Sequence, residues 1–141
     1  MHKSWAVKMK LDQMSPYELG LTSNKAALSY LQNFLVSGRL NEKRLAASAL
    51  YKLSHEFKNE CNCAIPELLS CIREHPHTQT RQYALKTLKA LLVTGSLCEF
   101  FKEIVETDEK QYNRVLAQEI LHLLRRKNFP AQLAKKKTIF L

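Results

Sequence analysis

Glycine and proline are scarce, at three and four of 141 residues. Sandwiches and barrels of many short strands need those residues at their turns, so the shortage points to long helices. No stretch approaches the roughly 20 consecutive apolar residues of a membrane span. The start, Met1-His2-Lys3-Ser4-Trp5, lacks the apolar core and small-residue cleavage site of a secretory leader. Neither a leader nor an anchor is therefore expected. Cysteine is limited to four residues, and Cys71 and Cys98 fall in apolar helical stretches of a chain large enough to need no cross-links. This composition predicts reduced thiols and a cytoplasmic setting. Cys61-Asn62-Cys63 has no second closely spaced Cys or His pair, and His75-Pro76-His77 lies too far along to complete a zinc spacing. No metal and no cofactor are expected.

What the chain does have is apolar content of 45%, enough for a continuous core, and a signature that recurs three times. A basic residue is followed by alanine three positions on, leucine four beyond that and leucine three further. The copies are Lys43-Ala46-Leu50-Leu53, Arg81-Ala84-Leu88-Leu91 and Arg114-Ala117-Leu121-Leu124, spaced 38 and 33 residues apart. That spacing is the length of a two-helix unit and implies stacking, because each unit alone leaves an apolar face wet.

The pattern predicts an all-α chain. Ser15-Pro16-Tyr17-Glu18 reads as a capping box opening a short helix over 16–20. Three pairs follow, each an A helix and a B helix: 24–37 with 41–58, 64–74 with 78–94, and 96–105 with 109–127. Residues 1–22 then form an N-terminal cap, 23–60, 61–95 and 96–128 the pairs, and 129–141 a basic tail. The alternation of Trp5, Val7, Met9 and Leu11 suits a short strand or a frayed helix. The tail suits a disordered extension or a strand pairing with that segment.

The run Asn41-Glu42-Lys43-Arg44-Leu45-Ala46-Ala47-Ser48-Ala49-Leu50-Tyr51-Lys52-Leu53 closely resembles the second helix of a HEAT repeat. So does Arg81-Gln82-Tyr83-Ala84-Leu85-Lys86-Thr87-Leu88-Lys89-Ala90-Leu91, and Ala64-Ile65-Pro66-Glu67-Leu68-Leu69 looks like the family's first helix. The resemblance covers about residues 24–128. It implies a right-handed α-α superhelix, a HEAT-like solenoid of three helix pairs, with the B helices on its concave side. It also implies a turn aspartate paired with an arginine at each B-helix start. Asp108 and Arg114 match, whereas His75 stands before Arg81 and Ser37 before Lys43, so a continuous ladder is not expected. Arg81 and Arg114 are expected to bond neighbouring turns rather than a ligand.

Charge divides between the two helix sets. Taken with their adjoining turns as 24–38, 64–75 and 96–108, the A helices hold three basic and six acidic residues; the B helices, taken as 41–60, 78–95 and 109–127, hold twelve basic and five acidic. On a HEAT-like stack the concave side is thus the basic one, which concentrates anionic partners. Helical spacing places Arg44, Ser48, Tyr51 and His55, then Gln82, Lys86, Lys89 and Val93, then Val115, Glu119, His122 and Arg126 opposite the buried alanines. The candidate partner-binding residues are Arg44, Tyr51, His55, Lys86, Lys89, His122 and Arg126.

Two partner classes qualify: an acidic or helical segment of another protein, and nucleic-acid backbone. The first is the commoner use of short solenoids, as the resemblance implies. HEAT-like glycosylases and chromophore lyases also exist. A base-excising version needs an aromatic-walled cleft and a carboxylate, yet Trp5 lies outside the repeats and Glu119 is the only acid on the stripe. No catalytic constellation and no small-molecule or membrane partner is evident, so the expectation is a non-enzymatic interaction module.

Overall fold

The computed structural model describes the backbone of residues 10–91 and 95–140, and the side chains of those up to 126. Among the described residues there is no strand. The described residues form seven α-helices, in order α1 Pro16–Gly20, α2 Ala27–Ser37, α3 Leu40–Ser54, α4 Ile65–Glu74, α5 Thr78–Leu91, α6 Cys98–Thr107 and α7 Gln111–Phe140. Short 3-10 turns occupy Leu11–Gln13, Glu60–Ala64 and Gly95–Leu97. Among the described residues no helix is long and apolar enough to cross a membrane. The chain divides into two compact units, Met1–Leu91 and Leu92–Leu141.

The first unit begins with the expected capping box. Ser15 Oγ accepts the Glu18 amide at 3.2 Å and Glu18 Oε1 accepts the Ser15 amide at 3.0 Å, so two amides left over by the first turn are satisfied. Bonds from the Ser15 amide and hydroxyl hold the Glu18 carboxyl below its usual range. Pro16 is buried and Leu19 fully so, seating α1 on α3.

Helices α2 and α3 form one hairpin and α4 and α5 the next. The two lie side by side in two layers, α3 packed extensively on α5 and α2 more lightly on α4. Apolar residues at helical spacing explain the seating: Leu28, Leu31 and Leu35 from α2, Ala46, Leu50 and Leu53 from α3, Leu68 and Ile72 from α4, and Ala84, Leu85 and Leu88 from α5 are all buried. The alanines let α3 and α5 approach closely. In the second unit α6 pairs with α7 over Phe101, Ile104, Ala117, Ile120, Leu121 and Leu124.

Several boundaries differ from expectation, each for a local reason. The first A helix begins at Ala27 rather than Asn24, because the Asn24 side chain accepts the Ala26 amide at 2.9 Å and its carbonyl takes that of Ala27. Its partner begins at Leu40, with Glu42 accepting the Arg39 amide at 2.8 Å, and ends at Ser54, where Ser54 Oγ turns back to the Tyr51 carbonyl at 2.6 Å. Gly95 and Ser96 open a 3-10 turn, which delays the third A helix to Cys98.

The expected disordered or strand-like tail is corrected: α7 continues through it to Phe140. No glycine stop follows Lys127, and Ala, Gln, Leu and Lys in residues 131–137 are strong helix formers. The expected Trp5–Leu11 alternation lies outside the described residues except for Leu11, which is in a 3-10 turn. Residues 92–94 of the expected second B helix also lie outside them.

Candidate functional site

Helix α3 carries Lys43, Arg44 and Lys52 against one acid, Glu42, and α5 carries Arg81, Lys86 and Lys89 with no acid at all. Glu42 already accepts the Arg39 amide. Helices α3 and α5 pack together, and between them basic residues outnumber acidic ones.

Tyr51 and Tyr83 meet where these helices pack. Their ring centroids are 6.3 Å apart with the planes inclined at 41°. Lys86, one turn after Tyr83, extends its ammonium to 5.7 Å from the Tyr51 ring centre and 5.8 Å from that of Tyr83. Both distances are within the range of a cation–π attraction. Just past the end of α3 the His55 ring stands edge-on to Tyr51 at 4.9 Å, fixed by a 2.9 Å bond between Nδ1 and the Tyr51 carbonyl. Tyr51, Tyr83 and Lys86 are half-buried and His55 is exposed. The four side chains form an ordered aromatic and cationic platform open to solvent.

Of the seven expected contact residues, Tyr51, His55 and Lys86 are brought together. Arg44 lies two turns before Tyr51 on α3, its guanidinium donating through Nε and Nη2 to Asn41 Oδ1 at 3.1 and 2.7 Å. Lys89 follows Lys86 on α5 and is half-buried. His122 and Arg126 are exposed on α7 in the second unit. None of the seven is buried. Val93, also expected on the stripe, lies outside the described residues.

Tyr83 is the platform residue missed by sequence reasoning. It sits immediately before the buried Ala84, a wheel position at the flank of the stripe rather than its crest. The available signal was its place three residues before Lys86, the spacing at which helical neighbours meet.

One turn geometry recurs within each unit. His75 ends α4 and Asp108 ends α6, each in extended backbone conformation. Arg81 donates Nη1 to the His75 carbonyl at 2.9 Å, and Arg114 does the same to the Asp108 carbonyl at 2.6 Å. Each turn side chain also accepts an amide two residues on: His75 Nδ1 from His77 at 3.1 Å, Asp108 Oδ1 from Lys110 at 3.0 Å. Both arginines thus bond a backbone carbonyl of the neighbouring turn.

The four cysteines are free thiols. Burial pushes the Cys61 thiol up to about 11, with Cys63 and Glu60 adding to the effect, and burial likewise raises Cys71. Neither has the electropositive, exposed setting of a reactive thiol. Among the described residues no group of three or more His, Cys, Asp or Glu side chains is arranged to hold a metal ion. Compared with protein-family models, curated proteins and solved structures, the chain matches none.

Proposed function

We propose that this chain is a non-enzymatic interaction module of HEAT-like stacked hairpins that takes an acidic segment of another protein on the α3–α5 surface. The observation that carries the reading is the Lys86 ammonium beside two half-exposed tyrosines, on a helix with no acid and against a helix whose one acid is engaged. An acidic side chain docking there gains charge attraction, while Tyr51 and Tyr83 offer rigid apolar area at little entropic cost. The repeated turn geometry at His75 and Asp108 supports the solenoid reading, in which the B helices line one side. Four free thiols fit a reducing, cytoplasmic setting.

A second reading, binding of single-stranded nucleic acid, draws on the same tyrosine pair, since half-exposed rings beside a cation are a stacking platform for bases. The acidic segment is favoured because a backbone-tracking groove carries more cations than Arg44, Lys86 and Lys89 supply. The test is affinity purification from the native host, with and without nuclease, using the wild type and the Arg44→Glu, Lys86→Glu double variant. A protein partner that survives nuclease, is lost from the double variant and is eluted by raised salt is expected. An unchanged set of partners on the double variant overturns the proposed surface, and loss on nuclease treatment selects the second reading.

A further inference from the structure

The turn between α4 and α5 contains a group used in no other part of the proposed function. His75 is only 6% exposed, and its Nε2 is buried without a hydrogen-bond partner. Its Nδ1 accepts the His77 amide at 3.1 Å. An imidazole nitrogen that accepts a bond carries no proton, so this geometry requires the neutral ring with its hydrogen on Nε2. In the equivalent turn of the second unit the acceptor is the Asp108 carboxylate, which needs no such restriction to receive the Lys110 amide.

Positive charge reaches the His75 ring from α3, while the backbones of Leu40 at the start of α3 and of His77 act the other way and favour the charged ring. From α3, Lys43 acts on the ring; from the turn, His77 does so; and from α5 the Arg81 guanidinium is bound to the His75 carbonyl at 2.9 Å. On α4 itself the neighbours are Cys71, whose carbonyl accepts the His75 amide at 3.0 Å, and Glu74, which is exposed. A proton added to Nδ1 would face a donor amide in a buried site under the field of Lys43.

We propose that His75 is a proton-operated latch: when neutral it closes the α4–α5 turn by accepting the His77 amide, and when protonated it gives up that bond and drives the turn away from Lys43 on α3. The ring's affinity for a proton is lowered first by burial and then by Lys43, which together outweigh the opposing pull of the His77 and Leu40 backbones. The sign follows from linkage. The unfolded chain takes up this proton at a higher pH than the folded one, so the stabilisation is whole above about pH 6.5, the ordinary imidazole value, and is lost as pH falls towards the folded-state value. The binding surface need not be occupied for the latch to operate.

The experiment is urea unfolding of the full chain at about pH 8 and about pH 5.5, on the wild type and His75→Asn. Asparagine does not titrate, and its carboxamide oxygen can take the His77 amide as Asp108 takes that of Lys110. The midpoint is expected to fall more on acidification in the wild type than in the variant, other acid effects being shared. An equal fall in both overturns the latch. Titration of the His75 ring proton by NMR in the unaltered chain provides the check that does not depend on the variant folding. A midpoint below that of free imidazole, rising in Lys43→Met, is expected. A His75 midpoint at or above the free value overturns the proposal.

Discussion

Gly20 ends α1 where that helix meets Ala49 of α3, and a methyl built on it would stand 2.8 Å from the Ala49 Cβ. Non-bonded carbons essentially never sit so close, and neither atom is on a flexible side chain. Gly20→Ala should therefore lift α1 from α3 and cost roughly 1–3 kcal/mol of unfolding free energy. Combining it with Ala49→Gly removes the clash, so the double variant should be more stable than the two single losses added together predict. Strict additivity in urea unfolding would show that this contact is not what the glycine provides. In sequence the same residue reads only as a helix stop, because close approach of two backbones is a tertiary fact invisible to local pattern. Arg81 and Arg114 were more legible: a basic residue three before a buried alanine, at the start of a helix, is placed to reach the preceding turn, and both do.

Capping signals and periodicity located the helices well wherever punctuation was local. Ser15-Pro16-Tyr17-Glu18 produces the box and the five-residue helix it implies. A helix this short has little internal bonding, so its first turn weighs heavily. Ser15→Ala should cost about 1 kcal/mol, read as a lowered urea midpoint with the slope unchanged, and a midpoint equal to the wild type's would deny the cap its role. Where punctuation was weak the reading failed. Asn24 looked like a helix start but holds a separate turn, and α7 has no glycine stop to end it, so it passes through a tail whose charge suggested disorder. The candidate site was legible in part for the same reason. Spacing from a buried alanine finds Tyr51, His55 and Lys86 along the crest of each helix, whereas Tyr83 joins them from the flank through the way α3 and α5 meet.

For the molecule as a whole, a stack of hairpins exposes an apolar face at its end unless something covers it. In the first unit α1 supplies that cover. Leu19 has no exposed surface, Pro16 is buried, and both lie on the helix that packs against α3, while Leu11 and Met14 are half-buried just before it. Trp5 lies outside the described residues. Full burial of a leucine stabilises by about 2 kcal/mol, and the flanking residues add part of that again. Deleting residues 1–20 removes all of these contacts together and uncovers Ala49 of α3, which Gly20 abuts. The loss is roughly 3 kcal/mol, which for a chain of this size lowers the melting temperature by roughly 10 °C. Newly exposed apolar surface should also appear as dye binding or concentration-dependent aggregation below that transition. Circular dichroism through thermal unfolding, run beside light scattering, measures both effects, and a truncated chain that melts at the full-length temperature without associating would mean that α3 needs no cover.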